Sequence, residues 1–297
     1  MNELYRELRE RLAATVRFLP DKPEETPDTT LRALWHTAAA RPLSPEAAQL
    51  EPLCELDEAA QRYLRELVEK RISGVPLAHI TGRQRFLDME MLAGPEALVP
   101  RKETELLARS AIDLCAQIAT DRPLRVIDVC TGSGNVALAI ARHVRHAQVF
   151  AADLSEAAVQ LAERNAAHLG LTERCTFATG DLLEPFNNDE FLGRTDLVTC
   201  NPPYISSAKV QHMDREISTF EPHLAFDGGP FGVSILMRLL KDAPRFLRSG
   251  GWLAFEVGLG QGPAMTKHLK KAQGCSEVQP LFDQSGAIRG LAGRFTF

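Results

Sequence analysis

From residue 125 onward, short apolar runs alternate with helical patterns, and the first run turns directly into a glycine-rich bend. The runs are RVIDVC (125–130), QVFAAD (148–153), CTFATG (175–180), DLVTCN (196–201) and WLAFEVG (252–258). Between and after them lie NVALAIARHV, SEAAVQLAERNAAHLG, FGVSILMRLLKDAPRFL and GPAMTKHLKKAQ, each with helical spacing. Continuous apolar strands separated by helices form a mostly parallel sheet covered on both faces. The pattern predicts an α/β fold whose ligand lies across the C-terminal strand ends, where the strand order reverses.

The chain ahead of this region reads differently. Residues 2–19 place Leu4, Leu8, Leu12 and Val16 on one helical face, stopped by Pro20. Thr30 is a cap candidate for a helix through Ala40, Ser44 for another, and Asp57 for a third that ends at Gly74. Residues 75–99 lack a helical period and carry turn residues at Gly82, Gly94 and Pro95, which predicts a β-hairpin linker. The expected division is a helical domain at 1–74, a linker at 75–99 and an α/β domain at 100–297.

Of 297 residues, 34 are basic and 39 acidic, a formal charge of −5 that counts against nucleic acid as the main partner. No apolar run approaches the ~18 residues of a membrane helix. The start, MNELYRELRERL, has no apolar signal core, so a cytoplasmic protein is expected. Six cysteines and eight histidines are dispersed without metal-ligand spacing, so no metal site is expected.

Four local features carry chemistry. In VIDVCTGSGNVALAIA (126–141) a strand meets Cys130-Thr131-Gly132-Ser133-Gly134 and then a helix. Gly132 and Gly134 leave room for backbone to approach a ligand. The run lacks the third glycine of a dinucleotide fingerprint and the lysine of a phosphate loop. Taken alone, it equally describes a tight strand-to-helix turn. Asp153 ends the next strand, about 20 residues on, where an acid accepts from two ribose hydroxyls. Gly180-Asp181-Leu182 follows the third strand, placing an acid and an apolar side chain where an adenine would lie. Finally, Asn201-Pro202-Pro203-Tyr204 closes the fourth strand. The prolines fix the backbone and remove two amide donors. The Asn201 side-chain oxygen and the Pro202 carbonyl are then two converging acceptors, suited to a planar NH₂ group. Tyr204 offers an aromatic face to hold it.

Together these residues resemble the class I S-adenosylmethionine-dependent methyltransferases that act on planar amino groups. Further stretches resemble the protein-(glutamine-N5) methyltransferase branch, the HemK/PrmC type. They are Val75 to Gly82, Leu98 to Glu105, Phe220-Glu221-Pro222 with Leu224-Ala225 and Asp227-Gly228-Gly229, and Asp283 with Arg289. The resemblance covers roughly residues 57–297. It implies a seven-stranded Rossmann-like methyltransferase sheet with a small N-terminal helical domain and a hairpin linker. It also implies S-adenosylmethionine as cofactor and S-adenosylhomocysteine as product. By position, Cys130 to Gly134 form the cofactor loop, Asp153 holds the ribose, and Asp181 and Leu182 flank the adenine. Asn201 touches cofactor and substrate, while Pro202, Pro203 and Tyr204 line the target amide. The chain departs from the family at Cys130, where glycine is usual, at Leu182, often aromatic, at Phe226 and at Pro230-Phe231-Gly232.

The substrate implied first is a peptide-chain release factor, methylated on the glutamine of its Gly-Gly-Gln loop during translation termination. A ribosomal large-subunit protein is the second candidate. Adenine-N6 methylation of nucleic acid uses a similar Asn-Pro-Pro-aromatic pocket on a flipped base. A cofactor-binding interaction module would leave that pocket without purpose, and a dehydrogenase would leave it unexplained.

Overall fold

The computed structural model describes residues 3–210 and 212–297. The chain opens with four helices, α1 (Glu3–Thr15), α2 (Pro27–Ala38), α3 (Pro45–Leu50) and α4 (Glu58–Ile72). Asn2, the first residue of the predicted helix 2–19, lies outside the described residues. That helix stops at Thr15, whose hydroxyl bonds back to the Arg11 carbonyl and competes with the ladder. The cap of α2 is Thr26 rather than Thr30: Thr26 and Thr29 satisfy each other's backbone N–H, with Pro27 following at the first turn. Ser44 and Asp57 cap α3 and α4 as their positions predict. Leu8, Leu12, Leu31, Leu34, Leu64 and Leu67 bury one core among these helices.

The linker holds α5 (Leu77–Thr81), then the antiparallel pair β1 (Arg83–Phe86) and β2 (Met89–Leu92). The short helix α5 is a correction to the aperiodic reading of 75–99. Five residues are too few to display a helical period, and the left-handed Gly82 ends it.

The second part of the chain runs α6 (Thr104–Gln117), β3 (Leu124–Val129), α7 (Asn135–His143), β4 (Ala147–Asp153), α8 (Glu156–His168), β5 (Cys175–Thr179) and β6 (Thr195–Cys200). It continues with α9 (Ser207–Val210), α10 (Arg215–Phe220), α11 (Ser234–Asp242), β7 (Leu247–Glu256), α12 (Gly262–Lys270), β8 (Cys275–Phe282) and β9 (Ile288–Phe295). Seven of these strands form one sheet in the order β5-β4-β3-β6-β7-β9-β8. β3 to β7 are parallel, and β9 runs antiparallel between β7 and β8.

Alternate residues of β3 feed two cores. Val126 packs with α6 and α7 on one face, and Ile127 and Val129 pack with α11 and α12 on the other. The hairpin residues Phe86, Met89 and Met91 join the first of these cores, so the linker is seated on the sheet domain. The order reverses between β3 and β6, and the cavity described next opens at their C-terminal ends.

Candidate active site

The turn after β3 places three residues in the left-handed region: Cys130 (φ +56°), Gly132 (φ +55°) and Gly134 (φ +83°). The two glycines differ in what they allow. A Cβ on Gly132 would meet nothing within 4 Å, so that face of the backbone is open to the cavity. A Cβ on Gly134 would press on Ala162 and Leu138 at 3.1 Å, so Gly134 serves the packing of α7 on α8. Gly134 does not line the cavity, whereas Cys130, Thr131, Gly132 and Ser133 do.

Buried carboxylates hold this turn. Asp128 accepts from the hydroxyls of Thr131 (2.6 Å) and Thr199 (2.7 Å). Burial pushes its carboxyl up to about 6 against the pull of those two donors. Asp153 accepts from the amides of Gly132 (2.8 Å) and Ser155 (2.9 Å), one on each oxygen, and burial raises its pKa as well. A carboxylate offers about four lone-pair sites, so each oxygen of Asp153 can take one more donor. Buried Asn165 of α8 clamps the turn to the linker. Its Nδ2 donates to the Ser133 and Leu92 carbonyls at 3.0 and 3.1 Å, and its Oδ1 accepts from the Leu92 amide at 2.7 Å.

Asp181 and Leu182 form a third edge of the cavity. Asp181 pairs with Arg238 at 2.5 Å, and Leu182, itself left-handed at φ +50°, is buried against the core.

The fourth edge is the Asn201–Tyr204 segment. Asn201 lines the cavity and its Nδ2 donates to the Thr104 hydroxyl at 3.1 Å, which leaves Oδ1 as the free end of the amide. Pro203 also lines the cavity. Pro202 is buried behind it. The Tyr204 ring is the main departure from the sequence reading. It does not line the cavity but packs by Gly258, with its hydroxyl facing the Glu256 carboxylate. Burial, and then that carboxylate, push the phenol well above its usual value. A buried hydroxyl needs an acceptor, and Glu256 supplies one below the turn.

Residues 226–232 close over this segment. The Ile205 amide donates to Phe226, and the Gly228 amide donates to Ile205. A Cβ on Gly228 would strike the Pro203 carbonyl, and one on Gly232 the Tyr204 carbonyl. Gln261 bonds the Tyr204 and Gly232 carbonyls together at 3.0 and 3.2 Å.

Residues 5–82 match the PrmC N-terminal domain family, and residues 120–274 match a methyltransferase domain family. The release factor glutamine methyltransferase of Moorella thermoacetica is 35% identical over 285 residues, 95% of this chain and 96% of that protein. This chain belongs to the release factor glutamine methyltransferase family. The relative from Xylella fastidiosa is 38% identical over 80% of this chain and 83% of its own. Among solved structures, the hMettl16 catalytic domain in complex with a 3′UTR hairpin aligns with TM-score 0.54 at 14% identity, covering 78% of this chain and 82% of that one. The human methyltransferase 10 domain containing protein aligns with TM-score 0.52 at 15% identity, covering 82% and 99%. At those identities the likeness is one of fold.

The family's usual glycine at position 130 has a physical reason here. A non-glycine residue in the left-handed region costs roughly 1–2 kcal/mol, and Cys130 adopts it regardless. Several cavity residues were not singled out from the sequence as site residues: Thr104, Asp128, Leu224, Ala225 and Asp227. All of them fall in stretches that carry the family resemblance, which was the available signal. Arg101 and Lys102, in the family-like stretch Leu98 to Glu105, are paired with acids. Arg101 meets Glu221 at 2.6 Å, and Lys102 meets Glu46 at 2.5 Å. No helix among the described residues is long and apolar enough to cross a membrane.

Proposed function

We propose that this chain transfers the methyl group of S-adenosylmethionine to the side-chain nitrogen of a glutamine, that of the Gly-Gly-Gln loop of a peptide-chain release factor. The observation that carries the chemistry is the Asn201-Pro202 turn at the sheet's switch point, with the Asn201 amide held by Thr104 so that its oxygen is free. The substrate follows from relatives so named at 30–38% identity over most of the chain.

The cavity fits this methyl donor. Among the described residues, five carboxylates line it (Glu96, Asp128, Asp153, Asp181 and Asp227) against one arginine, Arg101, itself paired with Glu221. Such a balance suits a ligand with net positive charge. Cys130 to Ser133 would hold its amino-acid end, Asp153 its ribose hydroxyls, and Asp181 and Leu182 its adenine, with Gly134 behind them packing the helix. The open face of Gly132 and the unpartnered buried Ser133 hydroxyl are consistent with a ligand in contact there.

When bound, S-adenosylmethionine supplies an electrophilic methyl on a sulfonium. A carboxamide nitrogen is a weak nucleophile because its lone pair is delocalised. Asn201 Oδ1 and the Pro202 carbonyl accept its two N–H bonds and aim the lone pair at the methyl. They also stabilise the positive charge that grows on nitrogen. The new C–N bond forms as the C–S bond breaks, and the nitrogen then loses a proton to solvent. In-line positioning contributes effective molarities that reach roughly 10⁵ M in good cases. Tyr204 supports the turn from beneath. The helical region 1–74 docks the protein substrate, and a substrate of the translation machinery makes the enzyme cytoplasmic.

The test is methyl transfer from labelled cofactor to purified release factor, ribosomal large-subunit proteins and duplex DNA, with peptide mapping of the product. One methyl on the Gly-Gly-Gln glutamine is expected. Label confined to a ribosomal-protein glutamine or to adenine overturns the substrate reading.

A further inference from the structure

We propose that Glu256 is a positioning residue for the acceptor amide: through Thr104 it sets which end of the Asn201 carboxamide faces the cavity. The inference rests on the glutamine-methylation reading above and adds a residue to it.

Glu256 is the last residue of β7, one strand over from the Asn201 turn, and is 2% exposed. Thr104, the first residue of α6, is 1% exposed. The Thr104 hydroxyl already accepts from Asn201 Nδ2 at 3.1 Å. Its own hydrogen therefore needs an acceptor, and the buried Glu256 carboxylate lies beside it to take that role. The result is a one-way chain, Asn201 N–H to Thr104 O–H to Glu256. An ionised carboxylate only accepts, so it fixes the direction of every bond upstream. It keeps the Asn201 NH₂ on Thr104 and the oxygen toward substrate. A protonated Glu256 can donate to Thr104 instead. Thr104 would then donate to Asn201, and the amide would turn its NH₂ toward the substrate NH₂, donor against donor.

Three orphaned polar atoms gather at this place. Oε2 of Glu256, Oε2 of Glu103 and Nε of Arg289 are buried without a hydrogen-bond partner, and Glu103 and Arg289 both act electrostatically on Glu256. Native interiors contain few such atoms. A buried ionisable group is rarely retained for stability, since an apolar replacement is often neutral or better. The charged and titratable groups that face Glu256 are Tyr204 from the turn after β6, Glu103 ahead of α6, and Arg289 from β9. Burial pushes the Glu256 carboxyl up to about 7. The Thr104 and Tyr204 donors and Arg289 work against burial, and Glu103 works with it.

The experiment compares wild type, Glu256→Gln, Thr104→Val and Thr104→Ser over pH 5.5 to 9. It reads single-turnover methyl transfer to the release factor, cofactor Kd, and the infrared carbonyl band of a buried carboxylic acid. In wild type, the rate is expected to rise with pH through about 7. Glu256→Gln should slow transfer about 10-fold or more and flatten that limb, with cofactor Kd within about 2-fold. Thr104→Val should behave likewise, whereas Thr104→Ser keeps the limb. The infrared band should titrate near neutrality, vanish in Glu256→Gln, and shift to higher pH in Thr104→Val. A Glu256→Gln enzyme with the wild-type rate and limb overturns the proposal. So does a band that Thr104→Val leaves in place, and that readout holds even if the release factor proves not to be the substrate. Absence of transfer by wild type would instead overturn the function proposed above.

Discussion

The two sides of the cavity are built on different principles. On the cofactor side, the turn at 130–134 is held by groups next to it in the sheet. Asp128 and Asp153 sit at the ends of adjacent parallel strands and tie down Thr131 and Gly132. On the acceptor side, the segment after Tyr204 is held by residues far away in the chain. Glu216 of α10 meets Lys22 at 2.6 Å and Arg71 at 2.8 Å, Arg71 also meets Glu25 at 2.9 Å, and Glu221 meets Arg101. Lys22, Glu25 and Arg71 are buried and belong to the helical region. A sheet edge can position a small cofactor by itself. On the proposed function, the surface that would admit a protein loop is braced by buried residues of the N-terminal helical region. The side proposed for the methyl donor is thus held locally, and the side proposed for the acceptor by distant parts of the chain.

Substitutions can break this contrast, the largest effect first. Arg71→Met leaves Glu25 buried without its ion-pair partner and Glu216 with Lys22 alone. Such a break costs about 3–5 kcal/mol, to be read as a lowered unfolding midpoint. The KM for protein substrate should rise in the same variant while cofactor Kd holds. Equal loss of both would end the distinction between the two sides. Asn201→Ala removes one acceptor and should lower single-turnover transfer about 10²–10³-fold, as for other transition-state hydrogen-bond groups. Cofactor affinity measured by calorimetry should change little. An unchanged rate would remove Asn201 from the mechanism.

Asp153→Asn should act in the opposite sense. Removing a charge-assisted acceptor weakens the cofactor roughly 10- to 150-fold, the ~1.5–3 kcal/mol of a charged hydrogen bond, and leaves the saturated rate near wild type. A fall in saturated rate instead would place Asp153 on the acceptor side. The smallest effect belongs to Cys130→Gly. It relieves a left-handed non-glycine residue but loosens the unfolded chain, for a net change within about 1 kcal/mol by thermal unfolding. A larger change would mean that the Cys130 side chain does more than occupy the turn.

What the sequence disclosed follows the same division. β3, β4, β6 and β7 are legible because strands flanked on both sides in the sheet and covered on both faces are near-continuous apolar runs, and the edge strand β5 because it follows the same alternation of run and helix. The glycine turn, Asp153 and Asn201 are legible because each ends such a run. β8 and β9 left no such trace. β8 is an edge strand, CSEVQPLF, half exposed and interrupted by Pro280, and only family resemblance supplied the seventh strand. The ion pairs of the acceptor side join residues up to 197 positions apart, beyond any local pattern. The Tyr204 ring was read as facing the substrate because its motif sits at a strand end. Its actual direction is decided by a buried acid 52 positions later in the chain (256 − 204), invisible until the strands are paired.

Asn165 has a consequence for how the two regions communicate. One carboxamide grips a carbonyl of the glycine turn and both backbone groups of Leu92 in the hairpin. The hairpin is the strap from which the helices hang. Stiffening the turn therefore stiffens the strap, and, by the reciprocity of linked equilibria, whatever settles the helices steadies the turn in equal measure.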